Sequence, residues 1–255
     1  MDGSKPYRGR ANLSEVLGID VERLTLARAA ESLEQMSQSS PSDGGARLVV
    51  TLNVEMTMKA RKDPELFAAI SDAALVVPDS IGIKWAGRLP AQVPGIELIA
   101  AVAELASDRG ASLYLLGAAA GVAERAGKIL ASDHPGLRII GTRDGYFNAD
   151  QEASVLHEVK SKRPDYVLVA LGAGRQEKWI ARNRGALGPT VALGVGGSLD
   201  VISGDTQRAP EWARRLNIEW LYRITTQPSR LGRSLALPHF MLVVLGRRIF
   251  GRSST

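Results

Sequence analysis

The chain has 255 residues, 45% of them hydrophobic, with a formal net charge of +5 and no cysteine. That length buries a full core as one large domain or as a domain with an appendage, and the missing cysteines exclude a disulfide framework, a thiolate nucleophile and a zinc–thiolate site. The opening MDGSKPYRGR lacks the apolar core of a signal peptide, and no apolar run reaches the roughly 18–20 residues that span a bilayer.

In chain order, LSEVLGIDVERLTLARAAESLEQM reads as a short element followed by an amphipathic helix, ended by the loop SQSSPSDGG at 37–45. Six short, mostly apolar runs follow: RLVVTLN (47–53), AALVVPD (73–79), SLYLLG (112–117), LRIIG (137–141), DYVLVALG (165–172) and TVALGVG (190–196). Such runs suit strands covered on both faces. Between them lie helical stretches: IGIKWAG, GIELIAAVAELASDRG, GVAERAGKILASD, ADQEASVLHEVKSK and RQEKWIARNRGAL. The alternation predicts an α/β fold: a Rossmann-like, mostly parallel sheet of about six strands with helices on both faces.

Nine arginines and two glutamates lie after Gln207, a net +7, so the preceding residues carry −2 of the whole-chain +5. The expected organisation is therefore an α/β core at 1–207 and a basic, amphipathic C-terminal appendage at 208–255. Charge concentrated in this way points to an anionic partner: nucleic acid, a phosphorylated substrate or a membrane surface. The run LALPHFMLVVL (235–245), flanked by arginines, is too short to span a bilayer but suits a helix lying in its interface. The alternative is a C-terminal helix packed on the domain with a solvated basic face.

Every predicted strand ends in small, polar or turn-forming residues, where open α/β sheets bind ligands and helix N-termini offer N–H groups to phosphates. No G-x-G-x-x-G fingerprint or Walker A loop is present, and the glycines serve equally well to turn the chain. The histidines (His134, His157, His239) accompany no G-x-S-x-G elbow, and no D-x-D pair occurs. Asp79, after the strand AALVV and before IGIKWAG, is placed either to accept a proton from a substrate hydroxyl or, like Ser80, to cap the next helix. Thr51 and Asn53 end the preceding strand, with turn chemistry as the plainer role. Gln176 opens a helix after a glycine turn and either faces the same edge or is an ordinary surface glutamine.

TLNVEM, VVPDS, LYLLG, GTRDGYF, LGAGRQEKWI, GVGGSLDVISGDTQRAPEW and EWLYRITTQPSRLGR, in that order from about Leu13 into the tail, resemble the WecG/TagA/CpsF family of bacterial glycosyltransferases. The resemblance implies inverting, metal-independent transfer, without a cofactor, from a UDP-sugar to an undecaprenyl-diphosphate-linked amino sugar. The donor implied is UDP-N-acetylmannosamine, and the products are cell-surface polysaccharide or teichoic acid. Asp79 matches the proposed catalytic base, Thr51, Asn53 and Gln176 match polar pocket positions, and Arg223, Arg230 and Arg233 match arginines thought to hold the acceptor diphosphate. Three residues depart from the pattern: Ser80 replaces a usual glycine, Gly174 a common proline, and Gln92 an arginine. The implied location is cytoplasmic, peripheral to the inner face of the plasma membrane, with the oligomeric state, a homo-oligomer included, left open. Against a nucleic-acid partner, the tail's basic residues are all arginine, are interleaved with aliphatic runs, and accompany no RNA-recognition aromatic motif. Transfer of glucose or another hexose, and non-catalytic binding of an anionic polymer, are the competing expectations.

Overall fold

A computed structural model describes residues 12–216, Tyr222 and residues 236–250. The chain opens with a hairpin of β1 (Leu13–Val16) and β2 (Ile19–Glu22), then α1 (Leu26–Ser37). There follow β3 (Arg47–Leu52), α2 (Val54–Ala60), α3 (Pro64–Ser71), β4 (Leu75–Pro78), α4 (Ile81–Gly87) and α5 (Gly95–Asp108). Next come β5 (Ser112–Gly117), α6 (Val122–Asp133), β6 (Arg138–Arg143), α7 (Ala149–Lys162) and β7 (Tyr166–Ala170). The core ends with α8 (Arg175–Arg182), α9 (Arg184–Leu187), β8 (Val191–Gly194) and α10 (Ser198–Ile202), before α11 (Glu211–Arg215) and α12 (Ala236–Phe250).

The six predicted strands pair in parallel in the order β4-β3-β8-β7-β5-β6. Side chains alternate across this sheet as strand geometry requires. Leu48, Val50 and Leu52 of β3 enter one apolar layer with residues of α2, α3, α4, α7, α8 and α12. Val49 enters the other, with residues of α1, α5, α6 and α10. Both edges of the sheet are blunted by side chains. Glu22 Oε2 accepts from the Val76 N–H of β4 at 2.8 Å, and Lys162 Nζ donates to the Ile140 carbonyl of β6 at 2.7 Å.

The short element at the start is the β1–β2 hairpin. Its two-residue turn, Leu17 and Gly18, has φ of 53° and 90°, the handedness that hairpin strands favour. Between β3 and β4 lie two helices absent from the sequence reading, each with a capping signal. Asn53 Oδ1 accepts from Met56 N–H at 2.9 Å, and Asp63, followed by Pro64 at the first helical position, accepts from Leu66 N–H at 3.0 Å. The predicted helix at 175–187 is divided at Asn183, whose amide donates to the Trp179 carbonyl and to Glu152.

The described parts of the tail pack on the core. Ala209, Ala213, Phe240 and Val244 are buried, the last two in the same apolar layer as Val54 and Ile83. Arg248 donates to the Trp85 and Ala86 carbonyls at the end of α4, with its guanidinium 4.6 Å from the centre of the Trp85 ring. The outward side of α12 is apolar as well: Leu242 is 70% exposed, and Leu245 and Ile249 continue the stripe at helical spacing.

A polar network clamps the amino ends of β5 and β7 to α1. Arg109 bonds Glu34, Asp165 and Ser37, Tyr166 Oη donates to Glu34, and Asp165 Oδ2 accepts from both the amide and the hydroxyl of Ser112. Burial opposes charge on both acids. Hydrogen bonds from Tyr166 and Arg109 nevertheless hold Glu34, and those from Ser112 and Arg109 hold Asp165, below their ordinary ranges. A depressed carboxylate contributes stability above its unfolded pKa and loses it as pH falls through the folded value. Arg109→Ala should therefore lower stability near neutral pH by about 2 kcal/mol. In thermal melts its deficit should shrink as the pH is lowered to about 3.

Candidate active site

The carboxyl ends of β3, β4 and β8 meet at one edge of the sheet, and three segments converge there. Thr51, on β3, is buried, and its hydroxyl donates to the Gly194 carbonyl at the end of β8 at 3.1 Å. Asp79 follows β4 directly, with its N–H on the Leu52 carbonyl at 2.9 Å. Its Oδ1 accepts from the N–H of Gly95, the first residue of α5, at 2.7 Å. Gln92 Nε2 donates to the Asp79 carbonyl and Val93 N–H to that of Pro78, each at 2.7 Å. The segment 92–95 is thus laced to 78–79 from both sides, and Gly95 packs against Thr51, to which a Cβ would come within 3.5 Å.

Asp79 does not cap α4. The cap is Ser80, in extended conformation, and it makes no side-chain capping bond. The Asp79 carboxylate lies instead on the first turn of α5, where the helix dipole favours negative charge. Asn53 stands beside Thr51 with its side-chain oxygen committed to capping α2. Gln176, in the first turn of α8, reaches the same edge but is 2% exposed. Its Oε1 accepts from Gly196 N–H at 3.1 Å and its Nε2 donates to Glu177 Oε1 at 2.7 Å. The segment carrying Arg223, Arg230 and Arg233 lies outside the described residues.

Two features here escape a reading of strand ends. Glu177 is a buried carboxylate behind Gln176, and Arg208 pairs with Glu97 on the first turn of α5 at 2.5 Å. Further along the same end of the sheet, an open cavity of about 390 Å³ is bounded by Gly121 at the start of α6 and by Thr142, Arg143, Asp144, Tyr146 and Gln151. Ala123 and Glu124 complete its mostly polar lining, and Tyr146 is 80% exposed. Among the described residues no group of three acidic or histidine side chains is placed to hold a metal ion, and no helix is long and apolar enough to cross a membrane.

Open parallel sheets bind ligands beyond the carboxyl ends of their strands, and here that edge gathers a carboxylate, buried hydroxyl and amide groups and several helix N-termini. A sequence model described as the glycosyl transferase WecG/TagA/CpsF family matches residues 14–254. The chain belongs to this family.

Relatives agree along most of the glycosyltransferase. It is 34% identical over 203 residues, 78% of each chain, to the N-acetylglucosaminyldiphosphoundecaprenol N-acetyl-beta-D-mannosaminyltransferase of Bacillus subtilis (strain 168). With the protein of the same name from Staphylococcus aureus (strain NCTC 8325 / PS 47) it shares 32% identity over 232 residues, 89% of this chain and 90% of that one. Within this glycosyltransferase, the Gln92 amide holds the Asp79 main chain, at a place where the family resemblance implies an arginine. Gly174 has φ of +91°, a conformation closed to the proline implied there, and its N–H donates to Glu177 Oε2 at 2.6 Å, a bond that proline cannot make.

Proposed function

We propose that this glycosyltransferase moves N-acetylmannosamine from UDP-N-acetylmannosamine to an undecaprenyl-diphosphate-linked N-acetylglucosamine, with inversion and without a metal ion. The observation that carries the reading is the convergence of Asp79, Thr51 and the Gly194 turn at one sheet edge in a member of this family. The names of the relatives favour an acetamido donor over glucose or another hexose.

In this reading Asp79 takes the proton of the acceptor hydroxyl as that oxygen attacks the anomeric carbon, and the bond from that carbon to the UDP oxygen breaks on the opposite face. The Gly95 N–H keeps one carboxylate oxygen in place during the transfer. Strand-end loops and helix N-termini receive UDP, whose developing negative charge is met by main-chain N–H groups and arginines. Thr51 and Asn53 shape the polar pocket, Gln176 backs it from a buried position without touching substrate, and Arg223, Arg230 and Arg233 grip the acceptor diphosphate with planar forks matched to phosphate oxygens.

The appendage from residue 208 serves the membrane end of the reaction. The outward stripe Leu242, Leu245 and Ile249, beside the half-exposed Arg247, supports shallow insertion into an anionic leaflet on the cytoplasmic face. The test is the product itself. With UDP-N-acetylmannosamine and a short-chain N-acetylglucosaminyl diphospholipid, the new linkage should be β by NMR, and EDTA should leave the rate unchanged. An α linkage, or strict dependence on magnesium or manganese, would overturn the proposed displacement.

A further inference from the structure

Behind the candidate active site lies a chain of hydrogen bonds whose polarity is fixed at both ends by the backbone. Gly196 N–H donates to Gln176 Oε1 at 3.1 Å, so the amide group of Gln176 must turn its nitrogen the other way. That nitrogen donates to Glu177 Oε1 at 2.7 Å, and Gly174 N–H donates to Glu177 Oε2 at 2.6 Å. Two main-chain donors face each other across two side chains. One amide and one carboxylate satisfy them with no donor left opposing a donor.

Glu177 is 0% exposed, an expensive place for a charge. Burial pushes its pKa up, against the pull of the Gln176 amide, the Gly174 N–H, its own N–H and the ammonium of Lys59. The pair presses directly on the end of β8. A Cβ on Gly194 would stand 2.5 Å from Glu177 Oε1 and 2.6 Å from Gln176 Nε2, so only glycine fits. Gly194 and Gly196 bound the turn whose first carbonyl accepts from Thr51, and Gly196 has φ of +51°.

We propose, resting on the transfer reading above, that Glu177 is a positioning residue: a buried carboxylate that acts through Gln176 to set the Gly194–Gly197 turn against Thr51 and the Asp79 edge. It touches neither donor nor acceptor. Its effect is to fix the distance between the β8 turn and the β4 carboxylate, and with it the placement of the donor sugar over the base.

The test exploits the polarity of the chain. Glu177→Gln sets an amide nitrogen against a donor, whichever way either amide turns, and Gln176→Glu sets two carboxylates side by side. Combined, the two substitutions exchange carboxylate and amide and restore every bond at the same net charge. Each single variant should lower kcat/KM for the UDP-sugar by roughly 10²-fold, the scale expected of a misplacement near 1 Å. The double variant should recover most of that loss. Amide hydrogen exchange at Gly196 should be slow in the wild type and the double variant and faster in the singles. Single variants as active as the wild type would overturn the proposal, and so would a double variant that is folded but inactive, or one that fails to fold. Should the wild type release no UDP with any lipid-diphosphate acceptor, the transfer reading fails instead, and the Gly196 exchange rates still report whether the pair sets the turn.

Discussion

Replacing Asp79 with Asn should remove nearly all sugar transfer while leaving the fold and UDP binding intact. Asparagine keeps the size of the side chain and an oxygen able to accept from Gly95 N–H, so the stitch between β4 and α5 persists. The Gln92 and Leu52 contacts are made by the Asp79 main chain and do not change. What is lost is the capacity to take a proton. General-base assistance contributes about 10²–10⁴-fold, and turnover should fall by at least that range. Calorimetric UDP titration and a thermal melt separate loss of chemistry from loss of structure. A variant with near-normal turnover would make Asp79 a clamp on α5 and place the base elsewhere.

Changing Arg223, Arg230 and Arg233 together to alanine should abolish transfer to a lipid-diphosphate acceptor while sparing much of the affinity for anionic vesicles. Each guanidinium–phosphate contact removed should cost about 1.5–3 kcal/mol, so three amount to a severe defect. Vesicle binding should persist because the apolar stripe of α12 and the remaining arginines are untouched. It should weaken with salt and should not be matched by binding to oligonucleotides. The defect should appear in the KM for the acceptor and in kcat, with the affinity for UDP near that of the wild type. Full activity in the triple variant would show that the diphosphate is held by other groups.

The sheet was legible because each of its strands is a short apolar run closed by turn residues, and because the runs alternate with helices of the right length. The hairpin was not, because its turn places Leu17 in the left-handed region, where sequence reasoning looks for Asn or Gly. Asn53 illustrates a different difficulty. A polar residue at a strand's end signals a site and a helix cap equally well, and here its oxygen caps a helix that the sequence reading lacked. The helix at 235–245 was legible as apolar but not as two-sided. Phe240 and Val244 turn inward while Leu242 and Leu245 turn outward, and a run apolar all round carries no signal for which face meets the protein.

At the site, Thr51 and Asp79 could be placed from strand ends alone, since β3 and β4 are neighbours in the sheet. The burial of Gln176 could not. It follows from Gly196, twenty residues further on, and from the absence of any room beyond the Gly194 backbone. Glu177 was hidden for the same reason: within RQEKW it reads as one more charged helix residue, and only the tertiary fold, which sets the Gly194 backbone against it, shows it buried.

The most direct measurement is UDP release from a panel of UDP-sugars offered with a short-chain lipid diphosphate bearing N-acetylglucosamine. Rapid, acceptor-dependent release is expected from UDP-N-acetylmannosamine, and little from UDP-glucose or UDP-galactose. Equal release from a plain hexose donor, or release indifferent to the lipid acceptor, would contradict the proposed transfer.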